Sequence, residues 1–137
     1  MGKSKIWLSS PHIGKNEHNY VLQQLIKKES SSLKDFYTEI EWLLHDKPVR
    51  TYDYYYDQIV CSGELFSTCI ISHYFTEMGL PNTWIDVRDL LRTDNNFRDA
   101  AIDWEFSTTK IKAAINNPIT ITQGFIGATY DNESTTL

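Results

Sequence analysis

The stretch from Tyr52 to Gly79 constrains the fold of this 137-residue chain most strongly. Its apolar residues have helical spacing but spread over nearly all sides of a helix, which is typical of a buried one. As a single helix it would extend about 40 Å at roughly 1.5 Å per residue. Gly79 is expected to stop this helix and Pro81 to turn the chain. We therefore expect one long, buried helix at the centre of the fold.

Two residues near the middle of this helix break the local rules. Gly63 costs a helix about 1 kcal/mol relative to alanine. Glu64 places a carboxylate among apolar neighbours, where an unpaired charge is costly. A rule broken inside an otherwise consistent element indicates a functional position. The alternatives for Glu64 are that it faces a solvent-filled groove or pairs with a structural arginine.

Composition and charge exclude several classes of protein. Apolar residues make up 41% of the chain and charged residues 23%, as in ordinary soluble domains. The net charge of -5 argues against binding to nucleic acid or to an anionic membrane surface. No apolar run reaches the length of a membrane span, and the apolar segment after the basic N-terminus is too short for a signal peptide. We therefore expect a cytoplasmic protein.

The cysteines and histidines form no recognisable metal or disulfide pattern. Cys61 and Cys69 lie eight residues apart in one helical run, too far for a disulfide along one helix face. No further cysteine is present, and the four histidines lack ligand spacing. We expect buried thiols and no metal site.

The remaining elements follow from periodicity and from breaker residues. In the first third we expect a short strand at Lys5–Leu8, a helix from Asn16 or Asn19 to about Glu29, and a helix at Leu33–His45. After the long helix we expect a strand at Thr83–Val87 and a helical turn at Arg88–Leu91. We also expect a helix that is capped by Ser107, Thr108 or Thr109 and runs through Ile115, followed by a strand at Ile119–Thr122. The prediction ends with a turn at Gln123–Gly127 and a polar tail at Thr129–Thr136 without a closing element.

Alternating helices and strands of this kind indicate an α/β fold with a parallel sheet. Ligands of such sheets bind outside the carboxyl ends of the strands. Here those ends are Asp86-Val87-Arg88 and Gln123-Gly124-Phe125. Two strands make an incomplete sheet, whose open edges invite pairing with another chain.

Several of these segments together resemble aspartate kinase in order and spacing. The resemblance covers roughly Leu33 to Leu137, and its most specific part is the turn from Thr122 to Gly127 followed by Thr135-Thr136-Leu137. The other matching segments are Ser62-Gly63-Glu64-Leu65, Trp84-Ile85-Asp86-Val87-Arg88 and Thr93-Asp94. The resemblance implies part of the amino-acid kinase fold, a three-layer α/β/α sandwich around a mostly parallel sheet.

The resemblance also implies a function in amino-acid biosynthesis, on the pathway to lysine, threonine and methionine. Members of the family transfer the γ-phosphoryl group of ATP, with Mg²⁺, to the side-chain carboxylate of L-aspartate. Glu64 would bind the amino group of the substrate, since a preorganised carboxylate is a strong partner for an ammonium. Gln123, Gly124 and Phe125 would line the same pocket. The residues expected to support the site are Ser62, Gly63, Asp86 and Arg88.

Two family motifs have no counterpart in this chain. The KFGG-type opening carries a lysine that contacts the transferred phosphate, whereas the early lysines here, Lys3 and Lys5, precede no glycine pair. The GR-x-GSD segment, which follows the TTL motif in the family, carries a substrate-binding arginine and a catalytic aspartate. We therefore expect an inactive fragment of the catalytic domain, spanning residues 31–137 and lacking the nucleotide-binding part.

Residues 5–21 resemble the start of sugar aminotransferases that use pyridoxal phosphate. This likeness is short and includes no cofactor lysine, so we infer no aminotransferase activity. We expect residues 1–30 to be a segment of separate origin.

The alternative to a kinase fragment is a non-catalytic module that binds aspartate or forms oligomers. An unfinished sheet with open edges favours a homo-oligomer as the partner. Neither reading includes nucleic acid or a membrane.

Overall fold

The computed structural model describes Tyr20, residues 31–45 and residues 47–137. The chain divides into two compact units, and the boundary between them in the sequence falls between Lys47 and Pro48. The strand predicted at Lys5–Leu8 lies outside the described residues, as does the aminotransferase-like segment apart from Tyr20. Of the helix predicted to reach Glu29, only Tyr20 is described, and it is helical.

Helix α1, Ser31–His45, makes up most of the described part of the first unit. It confirms the helix predicted from Leu33 to His45 and begins two residues earlier. Leu33, Phe36 and Tyr37 are buried at the helical spacing that predicted it, whereas Trp42 is 75% exposed. Burial raises the pKa of Tyr37 to about 12.

Helix α2, Tyr52–Glu77, dominates the second unit. The hydroxyl of Thr51 caps its first turn by accepting a hydrogen bond from the backbone N–H of Tyr54. At the other end Gly79 adopts a left-handed φ of 75°, and the N–H of Leu80 donates to the carbonyl of Phe75 at 2.9 Å. The predicted stop at Gly79 is therefore confirmed, with the glycine in the conformation that this residue tolerates best.

Helix α2 is buried over a broad face that runs from Asp57 and Cys61 round to Phe66 and Ile70, as expected of a buried helix, but a strip of it stays exposed. Cys61, Leu65 and Cys69 are at most 3% exposed, whereas Ile59 and Ile71 are 43% and 45% exposed. The helix contacts the strands of this unit. Although α2 has 26 residues, none of the described helices is apolar enough over its length to cross a membrane.

Strands β1, Thr83–Trp84, and β2, Thr120–Ile121, pair in parallel. The predicted crossover from one strand to the next is thus confirmed. The first strand is shorter than predicted, because Asp86 accepts a hydrogen bond from the N–H of Arg88 and caps a 3₁₀ helix at Val87–Asp89.

Helix α3, Trp104–Ala114, lies between these two strands in the sequence and begins earlier than predicted. Its cap is Asp103, whose carboxylate accepts a hydrogen bond from the N–H of Phe106 at 3.0 Å. Ser107, one of the predicted caps, is fully buried, and its hydroxyl accepts a hydrogen bond from the N–H of Arg92.

Strands β3, Ile126–Ala128, and β4, Ser134–Thr136, form an antiparallel hairpin. The prediction of a polar tail without a closing element was therefore wrong. All three residues of β4 are buried, and the strand packs on α2. Serine and threonine look like a solvated tail in the sequence, but here their polar groups are satisfied inside the fold.

Candidate functional site

The side chain of Gln123 joins the carboxyl ends of the two parallel strands to helix α2. It is 4% exposed and lies just beyond β2. Its Oε1 accepts a hydrogen bond from the backbone N–H of Val87, just beyond β1, at 2.7 Å. Its Nε2 donates to the hydroxyl of Thr68, on α2, at 2.7 Å. Three elements meet at this one amide.

Thr68 is the other centre of this network. Its hydroxyl accepts a second hydrogen bond from the indole Nε1–H of Trp84, in β1, at 3.1 Å. The same hydroxyl donates to the carbonyl of Glu64, one turn earlier in α2, at 2.8 Å. A hydroxyl offers one donor and two acceptor positions, so that of Thr68 is fully used.

Glu64 lies on the side of α2 that faces these strand ends. Residues four apart in a helix share a face, so Glu64 lies beside Thr68, about 6 Å along the axis. Glu64 is half-buried. Among the described residues its carboxylate has no hydrogen bond or ion pair, so the structure does not supply the arginine partner considered as an alternative. A groove at the strand ends is the reading that remains.

Gly124 and Phe125 continue the chain from Gln123 and are exposed. Phe125 has a left-handed φ of 69° although it is not glycine, and its side chain is 55% exposed. Such a conformation costs roughly 1–2 kcal/mol and is common at ligand sites. The carbonyl of Phe125 accepts a hydrogen bond from the N–H of Leu137 at 3.0 Å, which holds the turn against the end of β4.

The glycines of the region differ in whether the fold requires them. A Cβ on Gly127 would lie 2.9 Å from Cγ2 of Thr93 and 3.2 Å from the carbonyl oxygen of Leu91, so packing requires glycine there. A Cβ on Gly63 or Gly124 would meet nothing within 4 Å. Neither of these two has a positive φ. Packing and conformation within this chain therefore explain Gly127 but not Gly63 or Gly124.

Asp86 and Arg88 form an internal ion pair next to these turns. The guanidinium donates to both carboxylate oxygens of Asp86, at 2.7 to 3.1 Å, and both side chains are largely buried. The Nη1 of Arg88 also donates to the hydroxyl of Ser134 at 3.1 Å. The pair therefore fixes the 3₁₀ helix to β4.

Ser62 and Cys61 face the interior rather than a ligand. The hydroxyl of Ser62 donates to the carbonyl of Ile59 within the same helix. The thiol of Cys61 donates to the carbonyl of Thr135 at 3.5 Å. Burial, reinforced by the nearby charge of Asp57, raises the pKa of Cys61 to about 12.

The sequence analysis missed Asp57, which is fully buried in α2. Its Oδ2 accepts hydrogen bonds from the backbone N–H groups of Arg98 and Thr136, both at 2.9 Å. Its Oδ1 accepts from the hydroxyl of Thr136 at 2.8 Å. One sequence signal could have found it: Asp57 lies four residues before Cys61, on the same helix face as the buried cysteine.

A threonine pair completes the interior around β4. The hydroxyl of Thr93 donates to the carbonyl of Asp94 at 2.8 Å, so it accepts the 2.9 Å hydrogen bond that it shares with Thr135. Thr93, Thr135 and Thr136 are each at most 2% exposed. These residues of the motifs that suggested the family therefore build the interior.

An open cleft of about 650 Å³ lies at the start of α2, lined by Val49, Arg50, Thr51, Asp53, Asn95, Asn96 and Phe97. None of the predicted site residues lines it. Glu64 is eleven residues beyond Asp53, about 16 Å along the helix. The cleft is therefore separate from the strand-end group, the name used below for Glu64, Thr68, Gln123, Gly124 and Phe125.

Comparisons with known proteins bear on the strand-end group. No protein-family model matches the chain. The lysine-sensitive aspartokinase 3 of Escherichia coli (strain K12) is 34% identical over 85 residues, which are 59% of this chain and 19% of that protein. The resemblance to aspartate kinase is confirmed. The chain spans about a fifth of the length of this aspartate kinase.

Solved aspartate kinase structures share the fold. Two are E. coli aspartokinase III, in complex with lysine and aspartate (TM-score 0.82) and with aspartate and ADP (TM-score 0.78). Both are 24% identical and cover 100% of this chain and 32% of their own. Clostridium acetobutylicum aspartate kinase, 16% identical, gives a TM-score of 0.68 over 94% of this chain and 26% of its own. The predicted α/β fold is thus confirmed.

Proposed function

We propose that this chain carries the L-aspartate-binding part of an aspartate kinase. The observation that carries the proposal is Glu64, whose half-buried carboxylate has no partner among the described residues and which lies one helical turn from Thr68, the residue that contacts both strand ends. Ligands of α/β sheets bind at this position. The similarity to aspartokinase 3 supplies the chemical identity of the ligand.

In this proposal the ligand is held at both of its α-substituents. Glu64 pairs with the ammonium group of aspartate, as a charge-assisted hydrogen bond requires. The backbone N–H groups of Gly124 and Phe125 donate to no described residue, and adjacent free N–H groups suit a carboxylate. Gly63 and Gly124 leave open space next to the ligand.

The remaining predicted site residues hold this arrangement in place. Gln123 was predicted to contact the substrate, but both polar ends of its amide are occupied inside the protein. We therefore propose that it positions the turn at Gly124. Asp86 and Arg88 fix the neighbouring strand end, and the hydroxyl of Ser62 is bound within α2, so we propose for these three the supporting role expected from the sequence.

We further propose that the chain on its own does not phosphorylate aspartate. Its sequence contains no counterpart of the phosphate-contacting lysine or of the GR-x-GSD segment. Within the described residues, no three His, Cys, Asp or Glu side chains come together as metal ligands. The described residues therefore offer no ligand set that fits the Mg²⁺ of an ATP complex. The cytoplasm, a separate origin for residues 1–30 and a catalytic segment at residues 31–137 remain predictions.

Titration of the purified chain with L-aspartate, followed by ¹H–¹⁵N NMR, tests the binding proposal. Glu64→Gln keeps the shape and removes the charge, so we expect affinity to fall at least tenfold. Glu105→Gln, which neutralises an exposed glutamate on α3, is the matched control and should bind like the wild type. Equal affinity in the wild type and Glu64→Gln, or no binding by the wild type, contradicts the proposal.

A coupled assay tests the absence of turnover. The chain is incubated with L-aspartate, ATP and Mg²⁺, and any acyl phosphate is trapped as the hydroxamate with hydroxylamine. We expect no hydroxamate above a reaction without protein. Product that disappears in Glu64→Gln would show that the chain is an active kinase.

The second candidate is an assembly module. Strands β1 and β2 form a sheet of only two strands, with outer edges unpaired by any described strand. Open edges favour pairing with another chain. Analytical ultracentrifugation distinguishes the candidates: a concentration-dependent dimer favours assembly, whereas a monomer that binds aspartate favours the binding module.

A further inference from the structure

We infer that Thr68 is a positioning residue for the proposed aspartate site, an inference that rests on the function proposed above. Thr68 does not face the ligand. It sets the rotation of helix α2 against the strand ends, and thereby the direction in which Glu64 projects.

The contacts of Thr68 come from three directions. Its hydroxyl accepts hydrogen bonds from Trp84 in β1 and from Gln123 beyond β2, at 3.1 and 2.7 Å. It donates to the carbonyl of Glu64 at 2.8 Å. One oxygen therefore fixes the distance of α2 from both parallel strands, at the helical turn that carries the proposed ligand-binding carboxylate.

The neighbouring residue shows what is specific to Thr68. The hydroxyl of Ser67 donates to the same carbonyl of Glu64, at 3.1 Å, but Ser67 is exposed, and this hydrogen bond lies within the helix. Replacing either residue by alanine removes a side-chain hydrogen bond to Glu64. Only the change at Thr68 also removes the acceptor shared by the indole of Trp84 and the amide of Gln123.

The coupling runs on to the turn that carries the backbone donors. Gln123 directly precedes Gly124 and is held at its other end by the N–H of Val87. Without the hydroxyl of Thr68, the Nε2 of Gln123 loses its partner, and the turn at Gly124 is no longer anchored to α2. The side chain of Thr68 therefore holds both halves of the proposed site, Glu64 and the turn at Gly124.

The test compares Thr68→Ala, Thr68→Ser and Ser67→Ala with the wild type by NMR titration with L-aspartate. The indole cross-peak of Trp84, assigned through Trp84→Phe, reports the hydrogen bond to Thr68. We expect Thr68→Ala to bind at least tenfold more weakly, and Thr68→Ser and Ser67→Ala to bind within twofold of the wild type. The indole peak should move on binding in the wild type and in Thr68→Ser, but not in Thr68→Ala.

Each outcome decides the inference. Wild-type affinity in Thr68→Ala overturns it and leaves the proposed function standing. If Ser67→Ala loses as much affinity as Thr68→Ala, the inference is overturned too, since the loss of a hydrogen bond within the helix would then be enough to weaken binding. If the wild type does not bind, the proposed function fails first and the inference falls with it. Should Thr68→Ala not fold, Trp84→Phe replaces it, and wild-type affinity in that variant overturns the inference.

Discussion

Replacement of Asp57 is the sharpest test of what holds the second unit together. Its carboxylate receives three hydrogen bonds: from the N–H of Arg98, and from the N–H and the hydroxyl of Thr136. In Asp57→Ala these donors lose their acceptor. A buried donor left unsatisfied costs about 1–3 kcal/mol, and the hydroxyl can rotate toward another acceptor. We expect a loss of about 3–5 kcal/mol in the free energy of unfolding.

The isosteric variant Asp57→Asn separates hydrogen bonding from charge. The amide oxygen can accept from both backbone N–H groups, and the amide NH₂ can donate to the hydroxyl of Thr136 once that hydroxyl rotates. All three contacts then survive without charge assistance, so we expect a loss of only about 1–2 kcal/mol.

Urea unfolding followed by circular dichroism measures both variants, and amide hydrogen exchange at Thr136 gives a local readout. Exchange at Thr136 should accelerate strongly in Asp57→Ala and modestly in Asp57→Asn. The reasoning is refuted if Asp57→Ala lies within 1 kcal/mol of the wild type. It is also refuted if the two variants lose the same stability, because the acceptor atoms would then contribute nothing beyond the charge.

Three further predictions concern other parts of the second unit. Gly127→Ala should destabilise by roughly 1–3 kcal/mol because its Cβ would overlap Thr93, whereas Gly63→Ala should stabilise by up to about 1 kcal/mol through helix propensity; urea unfolding of the pair tests this, and equal effects would contradict it. Because burial raises the pKa of Cys61 to about 12, we expect no alkylation of Cys61 by iodoacetamide at pH 8 until urea unfolds the protein, as followed by mass spectrometry; labelling of the native protein at the unfolded rate would contradict this. The pKa of Asp103 is lowered mainly by the hydrogen bond from the hydroxyl of Tyr130, and next by the one from the N–H of Phe106. Tyr130→Phe should therefore raise that pKa in a ¹³C NMR titration, and any stability difference from the wild type should be present at neutral pH and vanish as the pH falls through the pKa of Asp103 in the folded protein, where the carboxylate is protonated. An unchanged Asp103 pKa would contradict this.

Features set by local chemistry were predictable from the sequence. The end of α2 at Gly79 follows from one residue's freedom to adopt a left-handed φ. The parallel pairing of β1 and β2 follows from the alternation of helix and strand along the chain. The first signal lies two residues beyond the end of the helix, and the second is the order of the elements along the chain.

Features set by distant partners were not predictable in this way. Strand β4 consists of serine and threonine and reads as a solvated tail, yet Thr136 finds its acceptor in Asp57, 79 residues earlier. Ile59 and Ile71 were expected to be buried, yet they are 43% and 45% exposed. A polar residue's burial depends on a partner that periodicity does not reveal.

The candidate site shows the same division between residue identity and residue role. The resemblance to aspartate kinase singled out Glu64 and the turn at Gln123 before any coordinates were considered. It could not show that the amide of Gln123 is turned inward, because that depends on Thr68 and Val87, which lie 55 and 36 residues away. The motifs thus indicate the region, and the hydrogen bonds show that the amide of Gln123 is already engaged inside the protein.

The glycines give the strongest argument for where the ligand lies, because they separate what the fold requires from what it does not. Gly127 has a reason inside the chain, since a side chain there would collide with Thr93 and Leu91. Gly63 sits in the middle of a helix that alanine would stabilise, and Gly124 has open space around it. These two flank Glu64 and Phe125, the free carboxylate and the strained turn. In the proposed site, these two positions without a side chain leave the backbone open to a ligand beside Glu64 and at the turn.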